Sequence, residues 1–486
     1  MISDTLTGGQ RRALLLRKLL WLLVLTTLSV ASLIIIPRVA TPAPAVDSKL
    51  LALRVLFGII LFVGALSWRR IISQSWQLTD TIFAGLLASF TLSLLFSGRI
   101  KYGLSEFWHM GGFFCIGWLI FRLRPTAAEC LALARVGGCL GLIAALYGFL
   151  VYIGKDILHA WYPFEFATNQ GGRNFIHSFF GNPEYFGGYA APTATLLLGL
   201  GFSPRIALWK RSLWILGAAF IMGVLLLSGS RGAVFGFVIG ALIIFLGQVR
   251  LLEPKLRKIS WALVGLGAVA MTAGLIILST PNPLNPRDMR LAQRFTQLFN
   301  TTSASTRERI LFYTSTAMAI PQNPVFGFGP GSYRLEFYNN VKLLVEKDPH
   351  AGTTVLLNQL NRRLAEHTHN DYLEFWFEQG TIGIALLLLL IVHAAVRFVR
   401  TRRHLRVSPK DSEATSLALL VTLFAGVTTL LVNALTSFPL HLPARGILAW
   451  VLIGSFLGFE RVISEAAPAS AGNLTRANQT ISKDEG

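Results

Sequence analysis

Apolar residues along the chain fall into blocks of roughly 18 to 22 positions separated by short polar stretches. That is the length needed to cross about 30 Å of hydrocarbon at about 1.5 Å per helical residue. The blocks predict about twelve membrane-spanning helices, over 19–36, 50–67, 78–97, 104–121, 131–153, 184–203, 212–229, 232–248, 260–279, 380–398, 415–436 and 444–460. Their connections alternate in charge. Arg11, Arg12, Arg17 and Lys18, then Arg69 and Arg70, Arg122 and Arg124, Arg205, Lys210 and Arg211, the basic run 250–258 and the run 397–406 all fall on one side. The other side holds little beyond Arg38, Lys49, Arg99, Lys101, Arg231 and Arg445. Cytoplasmic loops are the basic ones, so this bias puts both termini in the cytoplasm.

The same alternation leaves two long connections outside, Gly154–Pro183 and Thr280–Gln379. The second, of roughly a hundred residues, is too long to be a plain linker. The expected organisation is therefore a first membrane segment over 1–279 with about nine helices, a large outer loop over 280–379, a second membrane segment over 380–461 with about three, and a disordered cytoplasmic tail over 462–486. The fold class is an all-α polytopic membrane protein.

Composition agrees. Hydrophobic residues make up 53% of the 486 and charged residues 14%, more apolar surface than a soluble chain can hide. The formal charge of +20 raises nucleic acid as a partner, but the basic residues sit in short runs between apolar blocks. There they set topology and meet anionic lipid headgroups, so membrane lipid is expected as a partner and nucleic acid is not. Cys115, Cys130 and Cys139 lie in or beside apolar blocks, with neither disulfide nor metal spacing. The first apolar block is expected to stay as a span rather than act as a cleaved signal.

The large loop has elements of its own. Ser305 and Glu308 have capping-box spacing, which puts Arg309 in the first turn of a helix with Ile310, Leu311, Thr314, Ala317 and Met318 on one face, stopped by Pro321 and Pro324. Pro324–Gly331 reads as a turn-rich hinge; its glycines are only superficially like a nucleotide loop, because no strand precedes and no helical pattern follows at once. A further helix is expected from Thr368, capped in pairing with Asp371, with His369 as its first residue and continuing into the span at 380.

Two positions stand out chemically. Arg231, in Ser228-Gly229-Ser230-Arg231-Gly232, lies between spans too close to leave a loop. An arginine there either snorkels to the interface or binds an anion. His369, in Glu366-His367-Thr368-His369-Asn370-Asp371, is either a surface histidine or a neutral general base at a helix N-terminus. A metal reading rests on the closeness of Glu366, His367, His369 and Asp371, but His-x-His alone is weak and no second ligand cluster is evident; no metal or cofactor is expected. Arg290 and Arg294 share a helical face, and the shorter loop offers Arg173, His177 and Asn182.

Ser228-Gly229-Ser230-Arg231-Gly232 resembles the Ser-Arg-Gly signature of the O-antigen ligase/polymerase superfamily. Arg309-Ile310-Leu311-Phe312-Tyr313 followed by Pro324–Tyr333 is similar to that family's loop segment, and His369-Asn370-Asp371-Tyr372-Leu373-Glu374 to its histidine motif. Gly181-Asn182-Pro183 is similar to another of its motifs, with Glu184 where members often carry Asn. Asn433–Pro443 resembles a late-span signature. The likeness covers roughly 175–460.

The resemblance implies a membrane glycosyltransferase of GT-C-type architecture in the bacterial inner membrane, working on the periplasmic face without metal and with inversion. Its donor would be a glycan on undecaprenyl pyrophosphate. Its acceptor would be a lipid A-core sugar, a second lipid-linked glycan or, in the protein O-oligosaccharyltransferase branch, a protein hydroxyl. Arg231 and Arg309 would hold the pyrophosphate and His369 would be the base, with Arg173, Asn182, Arg290 and Asn370 as further substrate contacts. From another class, a solute or anion transporter should show paired broken helices or inverted repeats, and neither is evident; an inactive export scaffold is the third reading.

The topology is open to test with reporter fusions. A fluorescent protein at the C-terminus should fold and glow, and a secreted phosphatase inserted at Met318 should be active. The reverse pattern would invert the assignment.

Overall fold

The computed structural model describes residues 7–35, 44–158, 176–277, 280, 304–347, 365–405 and 413–481. Among these there is no strand, and the helices follow the apolar blocks. They are α1 (Gly8–Leu33), α2 (Pro44–Leu66), α3 (Trp68–Ile72), α4 (Leu78–Phe96), α5 (Ile100–Leu123), α6 (Ala127–Tyr152), α7 (Pro183–Gly201), α8 (Leu208–Ser228), α9 (Arg231–Gln248), α10 (Pro254–Ile277), α11 (Ala304–Ala319), α12 (Tyr333–Lys347), α13 (Asp371–His404), α14 (Glu413–Asn433) and α15 (Pro443–Ile481). The protein is an all-α polytopic membrane protein. Among the described residues, eleven helices are long and apolar enough to cross a bilayer.

The twelfth expected span is α7, and its chemistry differs for a reason. It lies among α6, α8, α9 and α14, and it is buried along almost its whole length. Shielded from lipid, it carries Pro192 and two threonines whose hydroxyls are satisfied locally. Thr193 donates to the Ala190 carbonyl (2.8 Å), and Thr195 Oγ1 lies 3.0 Å from Thr429 Oγ1 on α14. Close packing replaces hydrophobicity there, as is usual where helices meet inside a membrane.

Several buried charges are paired or solvated by backbone. Arg122 on α5 donates to Asp80 on α4 (2.5 Å) and to the Gln74 carbonyl (3.1 Å). Arg211 on α8 donates to the carbonyls of Gly201 (2.7 Å) and Ser203 (3.0 Å). Arg397 on α13 donates to Glu460 on α15 (2.6 Å). Instead of ending at Arg461 before a disordered tail, α15 continues to Ile481. The pair Arg461–Glu465 (2.9 Å), one turn apart, supports the helix past its apolar stretch.

The large loop contributes α11 and α12, whose apolar faces meet. Leu311, Phe312, Tyr333, Phe337, Val341, Leu344 and Phe377 form a small core of their own. Three expectations change here. First, α11 begins at Ala304, ahead of Ser305, so Ser305 is inside the helix and Arg309 lies in its second turn. Second, the inward face is Leu311, Phe312, Ser315, Thr316 and Ala319, while Ile310 is exposed; Phe312 sets the rotation by packing on Phe337. Third, a helix does follow the glycines at once. Tyr333, Phe337, Val341 and Leu344 give α12 a buried face at helical spacing.

The helix expected to run unbroken into the span at 380 is broken at Gly380 (φ 66°, ψ −171°). The glycine-rich turn fills the break. Phe328 N–H donates to the Phe377 carbonyl (3.0 Å), Gly329 N–H to the Glu378 carbonyl (2.9 Å), and Thr381 N–H to the Pro324 carbonyl (2.8 Å). Gly327 (φ 72°) sits so close that a Cβ there would lie 2.6 Å from Gly380 N, and a Cβ on Gly380 would lie 2.7 Å from Gly327 N. The glycines thus serve backbone approach and left-handed φ rather than phosphate binding.

Gly380→Ala is expected to cost about 1–3 kcal/mol of stability, read as a lowered unfolding temperature in detergent. Gly274→Ala, where a Cβ meets nothing within 4 Å, is the control and should leave that temperature unchanged.

Candidate functional site

The turn between α8 and α9 is two residues long. Gly229 takes a left-handed conformation (φ 67°) to end α8, and Arg231 opens α9. Ser230 donates to the Pro183 carbonyl at the start of α7 (3.1 Å), which fixes the turn against that helix. The α7 start is itself capped, since Asn182 Oδ1 accepts from the Glu184 N–H (2.8 Å) and Pro183 occupies the first helical position. These caps place Glu184 beside Arg231.

Arg231 and Arg309 line one pocket together with Glu184, Gly229, Ser230, Gly232, Ala233, Thr306 and Asn433. Arg309 arrives from α11, donating through Nη2 to Glu184 Oε1 at 2.9 Å. The same oxygen lies 3.6 Å from His369 Nδ1. Glu184 therefore lies between an arginine of the loop and the histidine before the span, bonded to the first and 3.6 Å from the second.

His369 is not the first residue of a helix. α13 starts at Asp371 with Asn370 as its cap, Asn370 Oδ1 accepting from Leu373 N–H (3.1 Å). The expected Thr368–Asp371 box does not form because Asp371 is engaged elsewhere. Glu374 takes its place, its Oε2 accepting from Thr368 N–H (2.9 Å) and its Oε1 contacting His367 Nδ1 (2.6 Å). His369 is left with φ 59°, an uncommon conformation for a residue with a side chain. It is held there by Tyr313 Oη–H on its carbonyl (2.9 Å), by Phe312 stacked on its ring and by Phe438 edge-on.

Asp371 ties this loop to the turn between α14 and α15. Its carboxylate accepts from Leu440 N–H (2.8 Å) and meets His441 Nδ1 (2.5 Å), while its own N–H donates to the Ala434 carbonyl (2.9 Å). His441 is buried. Burial disfavours its charge, but Glu374 and Asp371 outweigh that and raise its pKa to about 10. Beside it, the Arg445 guanidinium lies over the rings of Tyr185 (5.2 Å) and Phe438 (5.4 Å) and donates to Ser437 Oγ (3.1 Å).

Of the residues singled out in the sequence, Arg231, Arg309 and His369 come together. Asn182 and Asn370 stand next to them with their side chains engaged in helix caps. Arg173 and Arg290 lie outside the described residues. His177 is buried against Tyr147, with its Nδ1 at the Ser178 carbonyl (2.9 Å), and burial lowers its pKa. Glu366, His367, His369 and Asp371 do not converge. His367 turns to Glu374, Asp371 to His441 and His369 to Glu184. Glu184, Glu374 and His441 were missed as site residues. The sequence signals were the departure at Glu184, the place of Glu374 at the end of the histidine motif and the histidine inside the 433–443 motif.

A family model described as O-antigen ligase matches residues 216–388, the stretch that contains Arg231, Arg309 and His369. The match over this stretch supports the O-antigen ligase/polymerase superfamily. No curated protein matches it. Glu184, on α7, and His441, in the turn before α15, lie outside the matched stretch.

His441 gives a stability prediction. A histidine whose pKa is raised on folding contributes fully below its unfolded pKa and loses that contribution as pH rises through its folded pKa. The unfolding temperature of the native protein should therefore fall between pH 7 and pH 9, and in His441→Gln most of that fall should be absent. At pH 7 the variant should be less stable by about 3–5 kcal/mol, the cost of leaving buried carboxylates without their partner.

Proposed function

We propose that the protein transfers a glycan from undecaprenyl pyrophosphate to a hydroxyl acceptor at the periplasmic face of the bacterial inner membrane, within a GT-C-type architecture. The observation that carries this reading is the convergence of Arg231, Arg309 and His369. They come from the turn before α9, from α11 and from the loop before α13, and Glu184 lies between the last two.

The chemistry fits the residue types. Breaking the bond between a sugar C1 and a pyrophosphate oxygen leaves negative charge on that oxygen. Two guanidinium groups lining one pocket stabilise it through bidentate bonds that strengthen as the charge develops. A hydroxyl is a weak nucleophile near neutral pH, and an imidazole within reach takes its proton as the new C–O bond forms. Nδ1 of His369 faces Glu184, which leaves Nε2 as the nitrogen that receives it. Attack from the side of the ring opposite the pyrophosphate inverts the anomeric centre. The positive charge on the connections opposite to the site supports the periplasmic assignment.

The test is a transfer assay with purified protein and undecaprenyl-pyrophosphate-linked glycan. Separate tubes hold lipid A-core, no added acceptor or a protein acceptor, each with and without EDTA. Product should form in one tube and name the acceptor, indifferent to EDTA. His369→Ala should slow transfer by about 10²–10⁴-fold, and Arg231→Ala and Arg309→Ala by about 10²-fold or more. Full activity in His369→Ala would remove the base assignment. Absence of product in every tube, with no binding of the lipid donor, would favour transport.

A further inference from the structure

Arg309 and His369 both approach Glu184 Oε1. Arg309 Nη2 holds it at 2.9 Å. His369 Nδ1 lies 3.6 Å away, too far for a hydrogen bond. That Nδ1 is buried and has no hydrogen-bond partner, although the ring itself is locked between Phe312 and Phe438 and its backbone carbonyl is tied to Tyr313. An imidazole that is to accept a proton at one nitrogen needs an acceptor for the N–H on the other. Without one, neither tautomer nor resulting charge is stabilised. The nearest carboxylate oxygen is therefore engaged with the arginine that the proposed function assigns to pyrophosphate.

We infer that Glu184 is a positioning residue that exchanges partners during the reaction, pairing with Arg309 before a donor binds and with His369 Nδ1–H once a pyrophosphate has taken Arg309. The inference rests on the proposed function and adds to it the coupling of base activation to donor binding. The pyrophosphate oxygens displace one carboxylate from Arg309, because a polyanion offers the guanidinium more charge and bidentate geometry. Repulsion from the same anion moves the Glu184 carboxylate toward Nδ1–H, less than 1 Å of travel being enough to make a hydrogen bond from the 3.6 Å contact.

The transfer step then balances. The acceptor O–H bond breaks and its proton goes to His369 Nε2. The oxygen forms a bond to the sugar C1, and the C1–O bond to phosphate breaks with its electron pair going to the pyrophosphate. The imidazolium that results keeps Nδ1–H on Glu184 and is stabilised by its charge, in the manner of an acid–histidine pair. While Glu184 is held by Arg309 the histidine lacks that support, so a hydroxyl, water included, is not activated before a donor binds. Among the described residues, two other carboxylates beside the loop are committed elsewhere. Asp371 is committed to His441 and Leu440, and Glu374 to His367 and Thr368.

The experiment separates binding from turnover in the full-length protein in lipid nanodiscs. Undecaprenyl pyrophosphate is the binding probe, and transfer is followed with the acceptor named by the panel above. Glu184→Gln removes the internal competitor for Arg309 and the charge beneath the imidazolium. It should bind undecaprenyl pyrophosphate at least about threefold more tightly while its kcat falls at least about tenfold. Glu184→Asp, which keeps the charge, should recover most of the lost kcat.

A carboxylate with a purely structural part would not split the two quantities in opposite directions. If Glu184→Gln binds no more tightly than native protein, or turns over as fast, the partner exchange is wrong. Arg309→Ala distinguishes that result from failure of the underlying assignment. Weakened binding in Arg309→Ala with no gain in Glu184→Gln overturns the exchange alone, whereas native affinity in Arg309→Ala, or no binding by native protein, overturns both.

A second measurement needs no Glu184 variant. In native protein labelled with ¹⁵N-histidine, added undecaprenyl pyrophosphate should convert the His369 signals, assigned by their loss in His369→Gln, to the hydrogen-bonded Nδ1–H tautomer. Signals unchanged by bound undecaprenyl pyrophosphate would overturn the exchange.

Discussion

Asp371 makes its bonds to one short turn through both of its ends. Its N–H reaches the Ala434 carbonyl, and its carboxylate reaches Leu440 N–H and His441 Nδ1. Every one of these groups is buried, and a buried charge is tolerated only when it is paired and hydrogen-bonded. The residues just before Asp371 inherit their position from it. Thr368 is closed down on Glu374, Asn370 caps α13, and His369 is left in a left-handed backbone conformation with its ring wedged between Phe312 and Phe438. A strained histidine persists only where its surroundings over-determine it. Here they do so from both the loop and the membrane bundle.

The same economy runs through the rest of the helix bundle. Arg122 with Asp80 joins α5 to α4, Arg17 with Glu129 joins α1 to α6, and Arg397 with Glu460 joins α13 to α15. Arg99 pairs with Glu336 and ties the α4–α5 turn to α12. The contrast is Arg445, whose guanidinium is covered by two aromatic faces and one serine hydroxyl. Ring quadrupoles attract a cation, and the carboxylates of Glu184 and Asp371 lie close enough to act on it. Among the described residues, Arg445 thus stands at the site end of the bundle without a carboxylate bonded to it, while the pairs elsewhere are closed on themselves.

Much of the architecture was legible in the sequence because hydrophobic length and charge asymmetry are local properties. Each of the twelve expected spans has its helix, even α7, whose prolines, glycines and threonines make it the least apolar. Short motifs also singled out Arg231, Arg309 and His369, which the fold brings near one another around Glu184. What escaped depends on partners distant in sequence. The break at Gly380 exists because Pro324–Gly329 supplies hydrogen bonds across it, and nothing near 380 announces those partners. Asp371 looked like a capping residue by its spacing from Thr368, yet His441, seventy positions away, takes its carboxylate and hands the capping contact to Glu374. Glu184 was visible only as a departure from a family pattern; its meaning required Arg309 and His369 to be placed beside it.

The broken helix shows why the large loop belongs to the machinery rather than hanging from it. Irregular backbone at the edge of a membrane is stable only where protein satisfies its polar groups, and at Gly380 the loop's own glycine turn does so. The break lets Asp371–Gln379 lean on the loop core through Phe377 stacked on Phe328, while the residues after Thr381 cross the bilayer. The pocket consequently lies on a seam. Arg231 and Glu184 belong to the bundle, Arg309 and Tyr313 to the loop, and His369 to the strip that joins them. Any shift of the loop against the bundle changes the Arg309–Glu184 and Glu184–His369 distances together. The Glu184 carboxylate is therefore where the position of the loop reaches both Arg309 and His369.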